Sequence, residues 1–317
     1  MRVQLVTPAP RASRSGNRLT ALRWAGQLRS LRHAARVREA LDDAPADLLV
    51  TLHAEKSADA LLEWKRRDPH APAALILTGT DLYAHDELSQ LALQTCEQAD
   101  RVVVLQPGAL ERLPAALHAR VRCVPQSALP PHGPPPRSTE HFDVVCLAHL
   151  RPVKDPLLLA RAARLAPADS KLRVRLAGAS YDEQLAAAVR RESDDNPRFE
   201  WLGPLTRSAA LRLLASAHLL AITSHNEGGP AVVPEAAACG VGVVSTDMAA
   251  ARALLGADHP GLYPVGDFEA LAHALQRAEL DPAYFDALTR RSLALQPEVD
   301  PARERERIAQ LVAELTS

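Results

Sequence analysis

Short apolar runs, each the length of one strand, alternate with helix-length amphipathic stretches from one end of the chain to the other. No other feature constrains the fold so tightly, because this alternation is how parallel α/β architecture is written in a sequence. The first half offers RVQLV, DLLVTLH, AALILTG, RVVVLQ and VRCVPQ; the second offers FDVVCLAHL, KLRVRLAGA, FEWLG, HLLAITS, VGVVSTD and GLYPV. Helical stretches separate them. In residues 17–35, for example, Leu19, Leu22, Leu28 and Leu31 recur at helical spacing.

At 317 residues the chain exceeds one typical core, so two domains are expected. The segment PPHGPPPRSTEH, residues 130–141, holds five prolines and a glycine and can continue neither helix nor strand. It divides the chain into an N-terminal Rossmann-like domain (1–132), a linker (133–141) and a C-terminal Rossmann-like domain (142–317). The tail PARERERIAQLVAELTS reads as a terminal amphipathic helix, and no repeat shows beyond the doubled architecture. Two such halves should face each other across a cleft, with ligands outside the carboxyl ends of the strands. The polar loops SGN, LHAEKS, TGTD, AHLRPVK, AGAS and SHNEGGP do follow predicted strands.

Bulk properties exclude several functions. A net charge of −1 gives no general pull toward nucleic acid or an anionic membrane. No apolar run approaches the roughly 20 residues that span a bilayer. Cys96, Cys123, Cys146 and Cys239 form no CxxC pair, which points to a reducing cytoplasm. Residues 1–38 are free of acids yet carry Arg2, Arg11, Arg14, Arg18, Arg23, Arg29, Arg32, Arg36 and Arg38. Such a start resembles a transit peptide, but RVQLV is already a strand at residue 2. A cationic loop for an anionic substrate is the favoured reading, and a solvated helix face the plainer one.

The most informative stretch is HNEGGPAVVPEAAACGVGVVSTD, residues 225–247. Glu227 follows a buried strand, and Glu235 follows Pro234, which suits a first helical position. A carboxylate accepts from two vicinal hydroxyls, as ribose or a hexose presents them. Gly228 and Gly229 let backbone N–H groups approach phosphate oxygens, and the helix start adds a favourable dipole end. Either glutamate alone is an ordinary helix-start acid; the combined spacing points to a nucleotide-sugar site.

This stretch resembles the donor motif of family-4 retaining glycosyltransferases of the GT-B fold, with two glutamates separated by seven residues and followed by a small-residue helix and Cys-Gly. The resemblance covers the second half, including FEWLG and SAHLLAITS in that family's order. It implies that Glu227 touches the donor sugar, that Glu235 holds the ribose hydroxyls, and that Gly228, Gly229 and Pro230 line the donor. Where that family has Gly-Arg-Leu and then Lys-Gly, this chain reads A-H-L-R-P-V-K-D. Lys154 thus falls on the family's lysine, His149 stands at its arginine position, and Arg151 lies two residues later. The implied role is charge stabilisation on the leaving diphosphate by Lys154 and Arg151, while His149 is either a donor contact or a packed strand end.

G-N-R at 16–18, L-H-A-E-K-S at 52–57, T-G-T-D-L-Y at 78–83, P-Q-S at 125–127 and H-L-R followed by K-D-P resemble the selenosugar synthases of selenoneine biosynthesis. That likeness implies UDP-N-acetylglucosamine or UDP-glucose as donor, selenophosphate as acceptor and a 1-seleno-sugar as product, with UDP and phosphate released. Gly16, Asn17, Arg18, His53, Lys56, Thr78, Thr80 and Asp81 become the acceptor-binding candidates, the cations serving a polyanionic acceptor. Asp81 is assigned to positioning rather than to general-base work. Domain closure excluding water, retention of configuration and metal independence are implied too. No His/Cys cluster of metal-ligand spacing argues otherwise. The alternatives are a hexosyltransferase acting on a sugar or lipid hydroxyl, a nucleotide-sugar epimerase of the same fold and a protein that binds nucleotide sugars without turnover.

Overall fold

The computed structural model describes every residue except Arg14, residues 84–86 and Ser317, together with the side chain of Thr80. Among the described residues the first sheet is built from β1 (Arg2–Val6), β2 (Ala34–Arg38), β3 (Leu48–Leu52), β4 (Ala73–Ile76), β5 (Arg101–Val104) and β6 (Val121–Cys123). Its helices are α1 (Gly16–Ser30), α2 (Ala58–Arg67), α3 (Thr80–Tyr83) and α4 (Gln90–Gln98). The second sheet holds β7 (Phe142–Leu147), β8 (Leu172–Ala177), β9 (Phe199–Trp201), β10 (Leu219–Ile222), β11 (Gly242–Thr246) and β12 (Leu262–Tyr263). Around it run α5 (Pro156–Arg164), α6 (Glu183–Asp195), α7 (Arg207–Ala215), α8 (Val232–Cys239), α9 (Ala249–Leu255), α10 (Phe268–Leu280) and α11 (Pro282–Ala294), and α12 (Pro301–Thr316) closes the chain. No helix among the described residues is long and apolar enough to cross a membrane.

Both sheets are parallel throughout. The strand order is β2-β1-β3-β4-β5-β6 in one and β12-β11-β10-β7-β8-β9 in the other. Each has one place where the chain leaves a strand in one direction and later resumes on its other side. In the first sheet it lies between β1 and β3, in the second between β7 and β10. A doubly wound sheet binds its ligands outside the carboxyl ends of the strands at that point.

Apolar side chains alternate between the two faces of each strand, so each sheet is covered twice. On one face of the first sheet Leu5, Val50 and Ile76 pack with Trp24 and Leu28 of α1; on the other Leu49, Leu75 and Val102 pack with Leu61 of α2 and Ala92 of α4. The second sheet divides likewise between Val144, Val174 and Leu219 under α5, α10 and α11, and Leu220, Ile222 and Val243 under α7, α8 and α9. Helix starts are set by polar caps: Ser15 accepts from the Arg18 N–H, Thr206 from Ala209 and Asp267 from Ala270.

Three local expectations are corrected. The helix expected over 17–35 stops at Ser30, where Arg32 adopts a left-handed φ of 64° and the His33 N–H closes onto the Leu28 carbonyl; AARVR then forms the edge strand β2. The tail is helical as expected, but it belongs to the first compact unit (Met1–Ser127, Glu227–Ala231, Pro301–Ser317) and not to the donor half. Ile308, Leu311 and Val312 of α12 complete the core around Trp24. The proline-rich segment belongs to the second unit (Ala128–Asn226, Val232–Asp300). Arg212 donates to the carbonyls of His132 and Gly133, and Arg137 to that of Gly240, so its backbone acceptors and its cation are tied down.

Candidate functional site

In the second unit the loops after β7 and β10 are stitched together at the switch point. Thr223 Oγ1 donates to the Lys154 carbonyl at 2.7 Å, and the His225 N–H donates to the Val153 carbonyl at 2.8 Å. Residues 152–154 form a single 3-10 turn, and Asp155, at a left-handed φ of 38°, redirects the chain into α5. The His225 imidazole Nε2 lies 3.2 Å from Asp155 Oδ2. The loop carrying the expected phosphate cations is therefore held by the strand that precedes the glutamate motif.

His149 and Arg151 meet one side chain that the sequence reading missed. The exposed Tyr181 ring stands edge-on to the His149 ring at 5.6 Å, and the Arg151 guanidinium lies over it at 5.7 Å. His149 Nδ1 also accepts from the Ala179 N–H at 3.1 Å. Gly178 is obligatory beside them, since a Cβ there would fall 1.9 Å from the Ala148 carbonyl oxygen. His149 thus organises the two loops, and Arg151 is oriented by an aromatic face.

Glu235 lies in the first turn of α8, which begins at Val232, two residues before the expected start. Pro234 is consequently the third helical residue; its missing N–H still costs nothing, because the first four N–H groups of a helix have no intrahelical partner. The Glu235 side chain is only 12% exposed, and its Oε1 lies 3.1 Å from Arg207 Nη1. Burial first, and the Glu235 charge second, push the neighbouring Cys239 thiol up to about 11.

Glu227, Gly228, Gly229 and Pro230 belong to the first unit. Glycine is required here by a close backbone approach: a Cβ on Gly228 would lie 2.1 Å from the Gly79 Cα. Gly79 itself has a φ of 148°. Its neighbour Asp81, expected to position a substrate group, is 5% exposed and accepts from the N–H groups of Thr78, Gly79 and Ala54. That carboxylate sets the loops after β3 and β4. His53 is buried at a left-handed φ of 77°, its Nδ1 accepting from Glu55 and Lys56 N–H at 3.3 Å. The proton therefore sits on Nε2, and burial holds the imidazole below its ordinary pKa.

The remaining acceptor candidates flank the switch point of the first sheet. Gly16, Asn17 and Arg18 open α1 after β1, Lys56 is exposed after β3, and Thr78 is half-buried after β4; the Thr80 side chain lies outside the described part. Arg18 is 7% exposed, and among the described residues its Nε has no hydrogen-bond partner. A buried guanidinium nitrogen short of an acceptor, at a helix start with no acid in its first turn, is chemically suited to an anion. No group of three or more His, Cys, Asp or Glu among the described residues is arranged to hold a metal ion.

The family described as "Glycosyl transferases group 1" matches residues 141–281, which include β7 to β12 and both switch-point loops. Over residues 141–281 the chain is similar to the group 1 glycosyltransferases. The D-inositol 3-phosphate glycosyltransferases of Mycobacterium sp. strains KMS and JLS are each 31% identical over 207 residues, 62% of this chain and 44% of theirs. The chain thus spans less than half the length of these relatives. Sucrose-phosphate synthase from Thermosynechococcus elongatus superposes with a TM-score of 0.83 at 15% identity, covering 99% of each chain. Anabaena HepE in complex with UDP and glucose gives 0.77 at 15% identity, covering 99% of this chain and 100% of that one. These likenesses show the GT-B fold.

The group 1 match falls on the half where the sequence motif is most specific. Arg207, Tyr181 and the Asp155–His225 pair escaped the sequence reading, because each joins the site through packing between loops far apart in the chain. A faint signal existed for Tyr181 alone: an aromatic directly after the strand-ending AGAS.

Proposed function

We propose that the chain is a UDP-sugar-dependent glycosyltransferase that moves a hexosyl group, N-acetylglucosamine in the first instance, onto selenophosphate. Selenium attacks the anomeric carbon, the bond from that carbon to the UDP oxygen breaks, and water then takes the phosphoryl group from selenium. The products are a 1-seleno-sugar, UDP and phosphate. In this reading Glu235 holds the ribose diol, Glu227 contacts the sugar, and Lys154 and Arg151 meet the diphosphate. The chemistry needs neither a metal nor a protein nucleophile, and the proposed compartment is the cytoplasm.

The observation that carries the reading is the pairing of a group 1 donor half with a buried arginine, Arg18, in an acid-free helix start. A neutral sugar acceptor has no use for that cation. Se-phosphorylated and O-phosphorylated acceptors share the needed charge, and the names of the mycobacterial relatives favour a second reading: transfer to a hydroxyl of a phosphorylated polyol. Mass spectrometry of products from UDP-N-acetylglucosamine and UDP-glucose, offered selenophosphate, thiophosphate or inositol phosphate, separates the two. A selenium-containing sugar supports the first; transfer only to inositol phosphate supports the second.

A further inference from the structure

The buried carboxylate of Glu304, on the tail helix α12, has no place in the scheme above. It is fully buried within the first unit. Arg23 Nε donates to both of its oxygens, at 2.9 and 3.1 Å, and the Ser127 hydroxyl donates to Oε2. The same arginine donates from Nη2 to Gln126 Oε1 at 3.1 Å, and Thr20 Oγ1 reaches that oxygen at 3.4 Å. With two donors on Oε1, the amide can stand only one way round, its NH2 pointing away. Gln126 Nε2 accordingly donates to the Gly229 carbonyl at 2.9 Å. The Gln126 side chain is part of the wall under Gly229, since a Cβ there would lie 3.6 Å from Nε2 and 3.0 Å from Leu105 Cβ.

We propose that Gln126 is a positioning residue that fixes the Glu227-Gly-Gly-Pro loop, with Glu304 and Arg23 holding its amide in the donating orientation. The glycines that let this loop approach Gly79 bring no side chains of their own to define its conformation, and glycine has the most backbone freedom to lose. At Gly229 the backbone is held from outside, by a charge-assisted chain running from α12 to its carbonyl. The proposal rests on the reading of Glu227 as the group that meets the donor sugar. A displaced Gly229 carbonyl moves Glu227 two residues away, and so alters the step in which the sugar is transferred rather than the binding of UDP.

The test compares full-length wild type with Gln126→Glu and Gln126→Leu. The first keeps the size and still accepts from Arg23, but sets an oxygen against the Gly229 carbonyl; the second removes the hold without adding charge and covers the case in which the first fails to fold. Three quantities are read: hydrogen exchange of peptides containing residues 227–231 in the ligand-free protein, UDP affinity by calorimetry, and kcat for UDP-sugar consumption. Exchange should rise about tenfold or more and kcat fall at least tenfold. UDP affinity should stay within twofold. Unchanged exchange and kcat in both variants overturn the proposal, as does a loss of kcat that merely parallels loss of folded protein and of UDP binding. Faster exchange in the variants of a protein that consumes no UDP-sugar even as wild type upholds the positioning role and removes the glycosyl-transfer reading.

Discussion

Arg207 Nη1 and Glu235 Oε1 stand 3.1 Å apart, the arginine half in solvent and the glutamate nearly covered. A half-exposed partner of this kind contributes about 0–1 kcal/mol, so the pair is weak as a stabilising contact. Its consequence is orientation of a carboxylate in the first turn of α8. Glu235→Ala should weaken UDP and UDP-sugar alike, by about 1.5–3 kcal/mol, because the ribose is common to both. Arg207→Ala should change either affinity by less than about fivefold. Calorimetric titration with UDP checks both, and unchanged UDP affinity in the Glu235 variant removes it from the ribose.

Lys154 presents its charge from a turn whose carbonyl is held by Thr223. Charge on the diphosphate grows as the glycosidic bond breaks, so the Lys154→Ala variant should lose kcat by more than it gains in KM. Arg151→Ala, which leaves the turn intact, should show the smaller loss of the two. Steady-state kinetics with varied donor decides the matter, and a pure KM effect makes Lys154 a ground-state contact.

The glycine at 228 cannot carry a side chain without moving backbone, given the 2.1 Å that a Cβ would leave to Gly79 Cα. Gly228→Ala should therefore displace the loop and lower kcat at least tenfold, while Gly16→Ala, where nothing lies within 4 Å of the added carbon, should alter thermal stability by less than about 1 kcal/mol. Unfolding curves and donor turnover of the two variants make the comparison.

Much of this arrangement was legible before the structure, and the exceptions have physical causes. The parallel strands declare themselves as apolar runs, and the donor motif by spacing. The edge strand β2 did not, because AARVR has no apolar stretch and the preceding helix ends on Arg32 in a left-handed conformation, with no glycine to mark it. The return of α12 to the first unit was equally hidden, since an amphipathic stripe says that a helix is covered and not by what. The backbone partners of Asp81 were hidden for a third reason: a carboxylate after a strand suits a substrate hydroxyl and a row of backbone N–H groups equally well.

His259 gives a stability prediction with a definite sign. It is buried in the turn before β12, its Nδ1 accepts from the Gly261 N–H, and among the described residues Nε2 has no partner. Burial, and next the Arg291 charge, bring its pKa down from 6.5 to about 4. The unfolded chain then binds more protons than the fold between those values, so stability is fully present above pH 6.5 and is lost as pH falls toward 4. From pH 7 to pH 5 this one group should account for about 2 kcal/mol. Urea unfolding at the two pH values should show that much less acid sensitivity in His259→Asn than in wild type.

The acceptor should be a small anion held by the first unit. Arg18 is buried with its Nε short of a partner, no acid lies in the first turn of α1, and Lys56 is exposed after β3 on the other side of the switch point. The two cations differ in what their removal should do. Lys56→Ala takes away an exposed charge and should raise acceptor KM by a few-fold, an effect that fades as salt rises, because exposed charges are screened within about 10 Å at 0.1 M. Arg18→Met takes away a buried one of similar length; its effect on acceptor KM should be larger and nearly independent of salt, since a covered pair is screened far less. UDP affinity should hold in both variants, because the ribose and diphosphate contacts are assigned to the second unit. Acceptor KM measured at 0.02 and 0.3 M salt for wild type and both variants gives the answer. A neutral hydroxyl acceptor whose KM ignores both substitutions and salt would take the anion out of this reaction.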